Sequence, residues 1–386
     1  MLDWPTAKLG GGALSEQRLH RSLSTYLNLM RVAAALVVFL YHASYPSITD
    51  GVLHHFGYLA NDMVMAFFVL SGFVIAYVAD SGEDEPATFI KARLARLYSV
   101  ALPALALTVL ADSIGRSLNP DLYDSSSFQG SHPIARLLAN AAFLNQVWFL
   151  NVRPFSNGPY WSIGYEFWYY MLFACAHFLR GRSRIIGVAA LCCAVGPKIL
   201  LLFPIWLLGV ITYRLSRQTG DQPLLGAALF LLSLAAYAAL WHFHYRSQVD
   251  DRVDAFFHAL DLQMSFQLFS KYVVGLAVAM NILGFSMMQR LVDFGHAGRP
   301  IQWLAGMTFS IYLFHYPLLH LFAAILPVAI DPRVRAFLLI GLVLGMIALL
   351  AAVTERQKKS ARLLVDRTWT VATRIIATWQ RAYRAS

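Results

Sequence analysis

The chain has 386 residues, of which 58% are hydrophobic and 13% are charged. An ordinary soluble domain carries about 25% charged residues, so this composition excludes that class. The formal net charge of +10 does not require a nucleic-acid partner, because the cytoplasmic loops of membrane proteins concentrate Lys and Arg.

The apolar runs predict an all-α fold, a polytopic transmembrane helical bundle, because several of them reach the roughly 20 residues that cross a bilayer. We expect about ten spans, at residues 25–45, 58–79, 97–114, 160–179, 185–197, 199–213, 224–241, 268–288, 301–326 and 336–353. The fifth and sixth share a break at Gly196-Pro197. They form either a re-entrant hairpin or a fifth segment that does not cross fully. Residues 136–150 look short and amphipathic, typical of an interfacial helix, with an eleventh span as the alternative.

The distribution of Lys and Arg predicts that both termini are cytoplasmic. With the N-terminus inside, about 21 of the 31 basic residues fall on the inner side and about eight on the outer side. The chain then divides into a cytoplasmic N-terminal segment (1–24), a transmembrane domain (25–353) and a basic tail (354–386). We expect the tail to be an amphipathic helix on the inner leaflet rather than a nucleic-acid-binding segment.

The sequence indicates neither disulfides nor a metal centre. Cys175, Cys192 and Cys193 lie in or beside apolar runs, without metal-ligand spacing. The N-terminal 24 residues have no apolar core before a cleavage site, so no cleaved signal peptide is expected.

Span one carries two ionisable side chains, Arg31 and His42, in LNLMRVAAALVVFLYH (residues 27–42). They are eleven residues apart, so both lie on one helix face, roughly 16 Å apart along the axis. An ionisable group inside a span is costly and is by default a functional candidate. The alternative for His42 is an interfacial histidine that water or headgroups satisfy.

Four further segments stand out along the chain: FFVLSG (67–72), KARLAR (91–96), WSIGYEFWYY (161–170) and SIYLFHYPL (310–318). Together with the segment of span one, and in this order, they resemble the acyltransferase 3 family of integral membrane O-acyltransferases. That family includes bacterial enzymes that acylate lipopolysaccharide O-antigen, exopolysaccharides, Nod factors and macrolides. The resemblance extends from residue 26 to residue 353.

The chain matches most of the family pattern. The matched positions are Arg31 and His42; Phe67, Phe68, Ser71 and Gly72; Arg93 and Arg96; Trp161, Ser162, Glu166, Trp168 and Tyr169; and Ser310, Tyr312, His315 and Pro317. The chain departs from it at Asn28, where members carry Asp, and at Met65, where many members carry an acid. Asp62 lies one turn before Met65 on the same face and is a candidate substitute. Gly164 and Phe167 replace the common Ser and Glu.

The resemblance implies roles for five ionisable residues. His42 suits a general base, because an imidazole titrates near the working pH, and an acyl-His intermediate is the alternative route. Glu166 is expected at a similar depth, orienting His42 and stabilising its imidazolium, or else forming a structural ion pair with an arginine. Arg93 and Arg96 are expected to bind the phosphates of coenzyme A, and Arg31 either joins them or pairs with an acid. Plain positive-inside anchoring is the alternative for the pair on span three.

Five other residues are candidates for the substrate site: Asp62, Ser71, Trp161, Tyr312 and His315. His315 forms either a second polar wall of the site or a packed histidine bonded to a neighbour. For Ser71 and Gly72 we favour close helix packing over a serine nucleophile, because no adjacent base or nucleophile elbow is evident.

The sequence therefore predicts a membrane O-acyltransferase of the bacterial inner membrane, with no permanently bound cofactor. Its expected partners are acyl-CoA, most simply acetyl-CoA, a lipid-linked or surface glycan as acceptor, and membrane lipids. A Nod-factor-like or macrolide-like acceptor is an alternative. A transporter or flippase for a lipid-linked glycan is the alternative function, although no clear inverted repeat supports it. A membrane scaffold or sensor would leave His42 and Glu166 unexplained.

The charge distribution makes the topology testable. A reporter fused after Ser386 is expected to read cytoplasmic, and a tag in the loop 43–57, which has no Lys or Arg, to be reachable from outside. An externally exposed C-terminus would overturn the predicted arrangement.

Overall fold

A computed structural model describes residues 19–53, 59–82, 85–123, 132–242, 245–256, 262–357, 361–370 and 374. Within these ranges the chain folds into α-helices and short 3₁₀ turns, with no strand. The predicted all-α polytopic helical bundle is therefore confirmed.

Fourteen α-helices are delimited within the described residues. They are α1 (Arg21–Ala43), α2 (Pro46–Thr49), α3 (Ala60–Asp80), α4 (Pro86–Leu118), α5 (Pro133–Ala141), α6 (Trp161–Phe178), α7 (Gly181–Val195), α8 (Pro197–Gln218), α9 (Pro223–His242), α10 (Tyr245–Phe256), α11 (Leu268–Met288), α12 (Gly298–Ala305), α13 (Thr308–Ile325) and α14 (Pro332–Val353).

Eight helices in the described part of the chain are long and apolar enough to cross a membrane: α1, α3, α4, α8, α9, α11, α13 and α14. Two of the ten predicted spans are not among them. The helix α6 contains Glu166 and five Tyr and Trp residues, which make it less apolar. The helix α7 has 15 residues and is about 22 Å long, shorter than the roughly 30 Å hydrocarbon core. The number of crossings and the side of each terminus stay predictions.

The segment 136–150 is not one helix. The helix α5 ends at Ala141, and residues 142–150 form turns in which Phe143 and Trp148 adopt positive φ angles of 57° and 53°. Nine helical residues extend about 13 Å, so α5 is too short to provide an eleventh span. The predicted continuous helix is wrong because the chain turns back after Ala141 to pack against α6 and α8.

The predicted break at Gly196-Pro197 separates α7 from α8. Gly196 has φ +79°, a conformation that side chains with a Cβ rarely adopt, and Pro197 occupies the first turn of α8. The carbonyl of Val195, just before the break, accepts a hydrogen bond from the backbone N–H of Trp148 at 2.8 Å. The break thus fixes the turn after α5 against the start of α8.

Two glycines bring α3 and α8 into backbone contact. A Cβ on Gly72 would lie 2.0 Å from the carbonyl oxygen of Trp206, and a Cβ on Gly209 would lie 2.0 Å from that of Val69. Small residues at a helix crossing let backbones approach closely inside a membrane. This confirms the packing interpretation of Gly72, and it sets α3, which carries much of the candidate site, against α8.

The tail contains a helical stretch at residues 361–370. Asp366 in this stretch forms an ion pair with Lys91 near the start of α4, with 2.9 Å between Oδ1 and Nζ. The tail is therefore attached to the same end of the bundle as the start of α4. Residues 371–373 and 375–386 of the predicted membrane-surface helix lie outside the described residues.

The α3–α8 crossing generates a stability prediction. We expect Gly209→Ala to lower the melting temperature of the detergent-purified protein, because the new Cβ must displace the backbone of α3. Gly341→Ala in α14 is the matched control, since a Cβ at this position would meet nothing within 4 Å and Ala favours a helix by about 1 kcal/mol over Gly. Equal melting temperatures for the two variants would contradict the close crossing.

Candidate functional site

Two adjoining cavities lie in the bundle and share Val64 and Tyr312 as a common wall. The arginine cavity has a volume of about 60 Å³ and lies between α1, α3, α4, α6 and α13. The histidine cavity has a volume of about 250 Å³ and lies at the end of α1, where the chain turns into α2. Because α1 contributes Arg31 to one cavity and His42 to the other, the two are displaced along its axis.

Arg31 and Arg96 both line the arginine cavity. Arg31 is 7% exposed, and its Nη2 donates a hydrogen bond to Oγ1 of Thr308 at 3.1 Å. Its Nη1 is buried and has no hydrogen-bond partner among the described residues. A buried guanidinium nitrogen without an acceptor, in a side chain that lines a cavity, can bind an anionic oxygen.

Glu166 lies in the same cavity, within a hydrogen-bonded group of side chains. Its Oε1 accepts hydrogen bonds from Ser71 Oγ at 3.1 Å and from the hydroxyl of Tyr170. Trp206 Nε1 in turn donates to Ser71 Oγ at 3.2 Å. Arg31 and Arg96 both interact electrostatically with this carboxylate. The carboxylate is therefore oriented by neutral donors and partly offsets the two guanidinium charges.

His42 lines the histidine cavity and is paired with a second imidazole, that of His315, which lies behind it. His42 Nδ1 lies 3.0 Å from His315 Nε2 and also 3.0 Å from the carbonyl oxygen of Val38. His315 is fully buried, and its Nδ1 lies 2.8 Å from the carbonyl oxygen of Ile311. Both histidines use helix carbonyls four residues earlier as partners.

These contacts indicate which nitrogen of each neutral imidazole carries the proton, because a carbonyl oxygen can only accept a hydrogen bond. His315 Nδ1 carries the proton that Ile311 accepts, so its Nε2 is a lone-pair acceptor. The two partners of His42 Nδ1 are then both acceptors, so His42 Nδ1 also carries the proton. The Nε2 of His42 is left as the basic nitrogen, and it makes no hydrogen bond to a described residue. A neutral imidazole with a free Nε2 beside a cavity can take a proton.

Tyr312 stands on the wall between the two cavities. Its hydroxyl lies 2.8 Å from Ser162 Oγ, and Ser162 lines the arginine cavity. Trp161, the residue before Ser162, lines the histidine cavity. The start of α6 therefore contributes to both cavities, as does α13 through Tyr312 and Tyr316.

The structure pairs Glu166 differently from the expectation. His315, not Glu166, lies against His42, and Glu166 belongs to the arginine cavity. The predicted carboxylate partner of His42 is therefore wrong in its geometry. The two residues line neighbouring cavities, but the rotation of α6 turns Glu166 towards Ser71 and Arg31.

Two other candidates lie outside both cavities. Arg93 packs over the ring of Phe89, with 5.4 Å from Cζ to the ring centroid, and only Arg96 of the predicted pair lines a cavity. Asp62 is 1% exposed, and its Oδ2 accepts a hydrogen bond from Tyr237 at 3.0 Å. Ser71, predicted as a packing residue, instead joins the group around Glu166.

Three residues of the site were not identified from the sequence. Thr308 holds Arg31. Glu355 is 4% exposed and accepts hydrogen bonds from Ser310 through N at 2.9 Å and Oγ at 3.0 Å, which caps the start of α13. Arg153 lines the histidine cavity from a loop. Glu355 lies just beyond the last predicted span, and Arg153 belongs to the loop between α5 and α6, so neither has a motif that could reveal it.

No group of three or more His, Cys, Asp or Glu side chains within the described ranges is arranged to hold a metal ion. The three cysteines are free thiols.

Comparison with protein-family models matches residues 24–354 to the model described as an acyltransferase domain, Acyl_transf_3. Neither the curated proteins nor the solved structures give a match. The matched region contains every residue of the two cavities.

Proposed function

Because the chain belongs to the acyltransferase 3 family and is a membrane acyltransferase, we propose that it transfers an acyl group from acyl-CoA to a hydroxyl of a glycan. The observation that supports this most directly is the common wall between a cavity lined by Arg31 and Arg96 and a cavity lined by His42, whose imidazole is paired with His315. Such an arrangement separates a site for anionic phosphates from a site for proton transfer while leaving them in contact.

We propose that Arg31 and Arg96 bind phosphate oxygens of the donor. The unpartnered Nη1 of Arg31 supports this role, because an anion there would satisfy a buried donor. Guanidinium groups bind phosphate through paired N–H donors, which a neutral substrate could not exploit as well. The acyl thioester would then lie towards Tyr312 on the common wall. Acetyl-CoA is the proposed donor, acting as a substrate, and no resident cofactor is invoked.

The proposed chemical step takes place at the histidine cavity. His42 Nε2 removes the proton of the acceptor hydroxyl as its oxygen attacks the thioester carbonyl. The new C–O bond forms, the C–S bond breaks, and the thiolate leaves with the proton returned from His42. His315 acts as a positioning residue, because it accepts from His42 Nδ1 and so keeps Nε2 as the basic nitrogen.

The lining of the histidine cavity supports a carbohydrate acceptor. Tyr41, Tyr45, Trp161, Phe266 and Tyr316 supply aromatic faces around it. The electron-rich faces of aromatic rings attract the C–H groups of sugar rings. We propose a lipid-linked or surface glycan in a bacterial inner membrane, with the donor reaching the site from the cytoplasm and the acceptor from the outer face.

The mechanism predicts that His42 carries the proton transfer. His42→Gln should lower the rate of acyl transfer by about 10²- to 10⁴-fold, the usual effect of removing a general base. The measurement is thiol release from acetyl-CoA by the purified full-length protein, together with the mass of surface glycans from cells that express each form. His296→Gln is the matched control, because His296 is exposed and lines neither cavity. Near-normal turnover of His42→Gln would disprove the proposed base. Absence of thiol release by the unmodified protein would instead favour a transporter.

The geometry also predicts that Arg96 and Arg93 of α4 contribute differently to donor binding. Arg96→Gln should weaken acetyl-CoA binding by about tenfold or more, since a charge-assisted contact contributes roughly 1.5–3 kcal/mol. Arg93→Gln is the matched control three residues away, and its effect should be much smaller because Arg93 packs on Phe89. The measurement is a titration of each purified variant with acetyl-CoA, which compares their dissociation constants. Equal weakening would place the phosphates along the whole face of α4 rather than in the arginine cavity.

A further inference from the structure

The histidine cavity contains a cation that the proposed transfer reaction does not use. Arg153 lines the same cavity as His42. Its side chain makes no hydrogen bond or ion pair with any residue in the described ranges, and the described lining contains no Asp or Glu. A partly buried guanidinium without a counter-charge is a binding site for an anion.

The backbone on both sides of Arg153 is firmly anchored. Arg136 Nε donates to the carbonyl oxygen of Arg153 at 3.2 Å, and Asn140 Nδ2 donates to that of Val152 at 3.0 Å. On the other side, the N–H of Ser156 donates to Oδ2 of Asp112 at 2.9 Å. These bonds attach the loop to α4 and α5, so the position of Arg153 is set by the folded bundle.

The turn after Arg153 is locally strained. Phe155 has φ +52°, which is unfavourable for a side chain with a Cβ, and its N–H donates to the carbonyl oxygen of Arg153 at 3.0 Å. The guanidinium of Arg136 packs over the Phe155 ring at 5.3 Å and holds the turn. Strained backbone persists where the surroundings enforce it, and often at functional sites.

The neighbours of Arg153 that line the cavity do not neutralise it. Tyr45 and Tyr316 interact electrostatically with Arg153. Burial raises the pKa of the Tyr45 hydroxyl above its ordinary value, so this group stays a neutral phenol. The positive charge of Arg153 is therefore available to a ligand in the cavity.

We propose that the acceptor is an anionic glycan and that Arg153 binds its negative group while His42 faces the hydroxyl to be acylated. The negative group is a sugar carboxylate or a sugar phosphate, which share the oxygen acceptors that a guanidinium recognises. The proposal rests on the proposed function, because it identifies the substrate class of that same cavity.

Binding can be tested without turnover. The full-length protein carrying His42→Ala is placed in lipid nanodiscs and titrated with methyl β-glucoside, methyl β-glucuronide and methyl β-glucoside 6-phosphate by ligand-observed NMR. We expect at least one charged probe to bind about tenfold or more tightly than the neutral glucoside. Preference for the carboxylate or for the phosphate distinguishes the two sources of charge, and either result supports the proposal.

Variants then assign the preference to Arg153. In the same background, Arg153→Gln should abolish the preference, and Arg153→Lys should retain part of it, because Lys keeps the charge but not the planar donors. Arg333→Gln is the matched control. Arg333 is exposed and lies two residues from Arg335. Because Arg335 pairs with Asp50, just after α2, Arg333 is at the same end of the bundle as the histidine cavity. Arg333→Gln should keep the full preference.

Two results would overturn the proposal: no charge preference, including no binding of the charged probes, or a preference that survives Arg153→Gln. Failure of the proposed function gives a different result. In that case the protein with His42 intact releases no thiol from acetyl-CoA, while charge-selective binding that depends on Arg153 persists.

Discussion

Charged side chains inside an apolar bundle impose the main constraint on this molecule. Arg31, Arg96 and Glu166 project from three different helices, and isolated charges at such depth would cost several kcal/mol each. The helices converge so that the carboxylate lies within electrostatic range of both guanidinium groups. Thr308 and Ser71 supply hydrogen bonds to the charged groups from two further helices. The requirement to satisfy these charges therefore selects how α1, α3, α4, α6 and α13 are rotated against one another.

The positive charges in the two cavities are not all paired, and the unpaired groups can bind ligands. One N–H of Arg31 stays buried without an acceptor among the described residues, and within the same ranges Arg153 faces the neighbouring cavity without a counter-charge. An anionic ligand would therefore supply each of these groups with a hydrogen bond and a counter-charge, which a fully paired cation already has. Cationic groups thus lie on both sides of the wall that Tyr312 forms, Arg31 and Arg96 on one side and Arg153 on the other.

The pairing of His42 with His315 holds a neutral imidazole in one orientation. Helix carbonyls at Val38 and Ile311 determine which nitrogen of each imidazole carries the proton. In this arrangement Nε2 of His42 is the nitrogen left to accept a proton. The pairing joins α1 to α13, and the α13 N-terminus is itself capped by Glu355. The position of the two imidazoles therefore also depends on contacts outside the cavity, such as the Glu355 cap at the start of α13.

The sequence by itself determined the membrane bundle and the break at Gly196-Pro197, and it singled out Arg31 and His42 as candidate site residues. These features follow from local properties: apolar runs of bilayer length, a helix-breaking dipeptide, and ionisable groups where they are costly. Only the tertiary structure decided which groups meet. The axial position of a residue can be counted along a helix, but the rotation of one helix against another depends on packing across the whole bundle. For this reason the sequence pairs Glu166 with His42, whereas the fold turns Glu166 towards Arg31 and brings His315 to the histidine. A loop residue such as Arg153 has no periodicity to reveal its direction, so its place beside the cavity emerged only from the anchors that the folded helices provide.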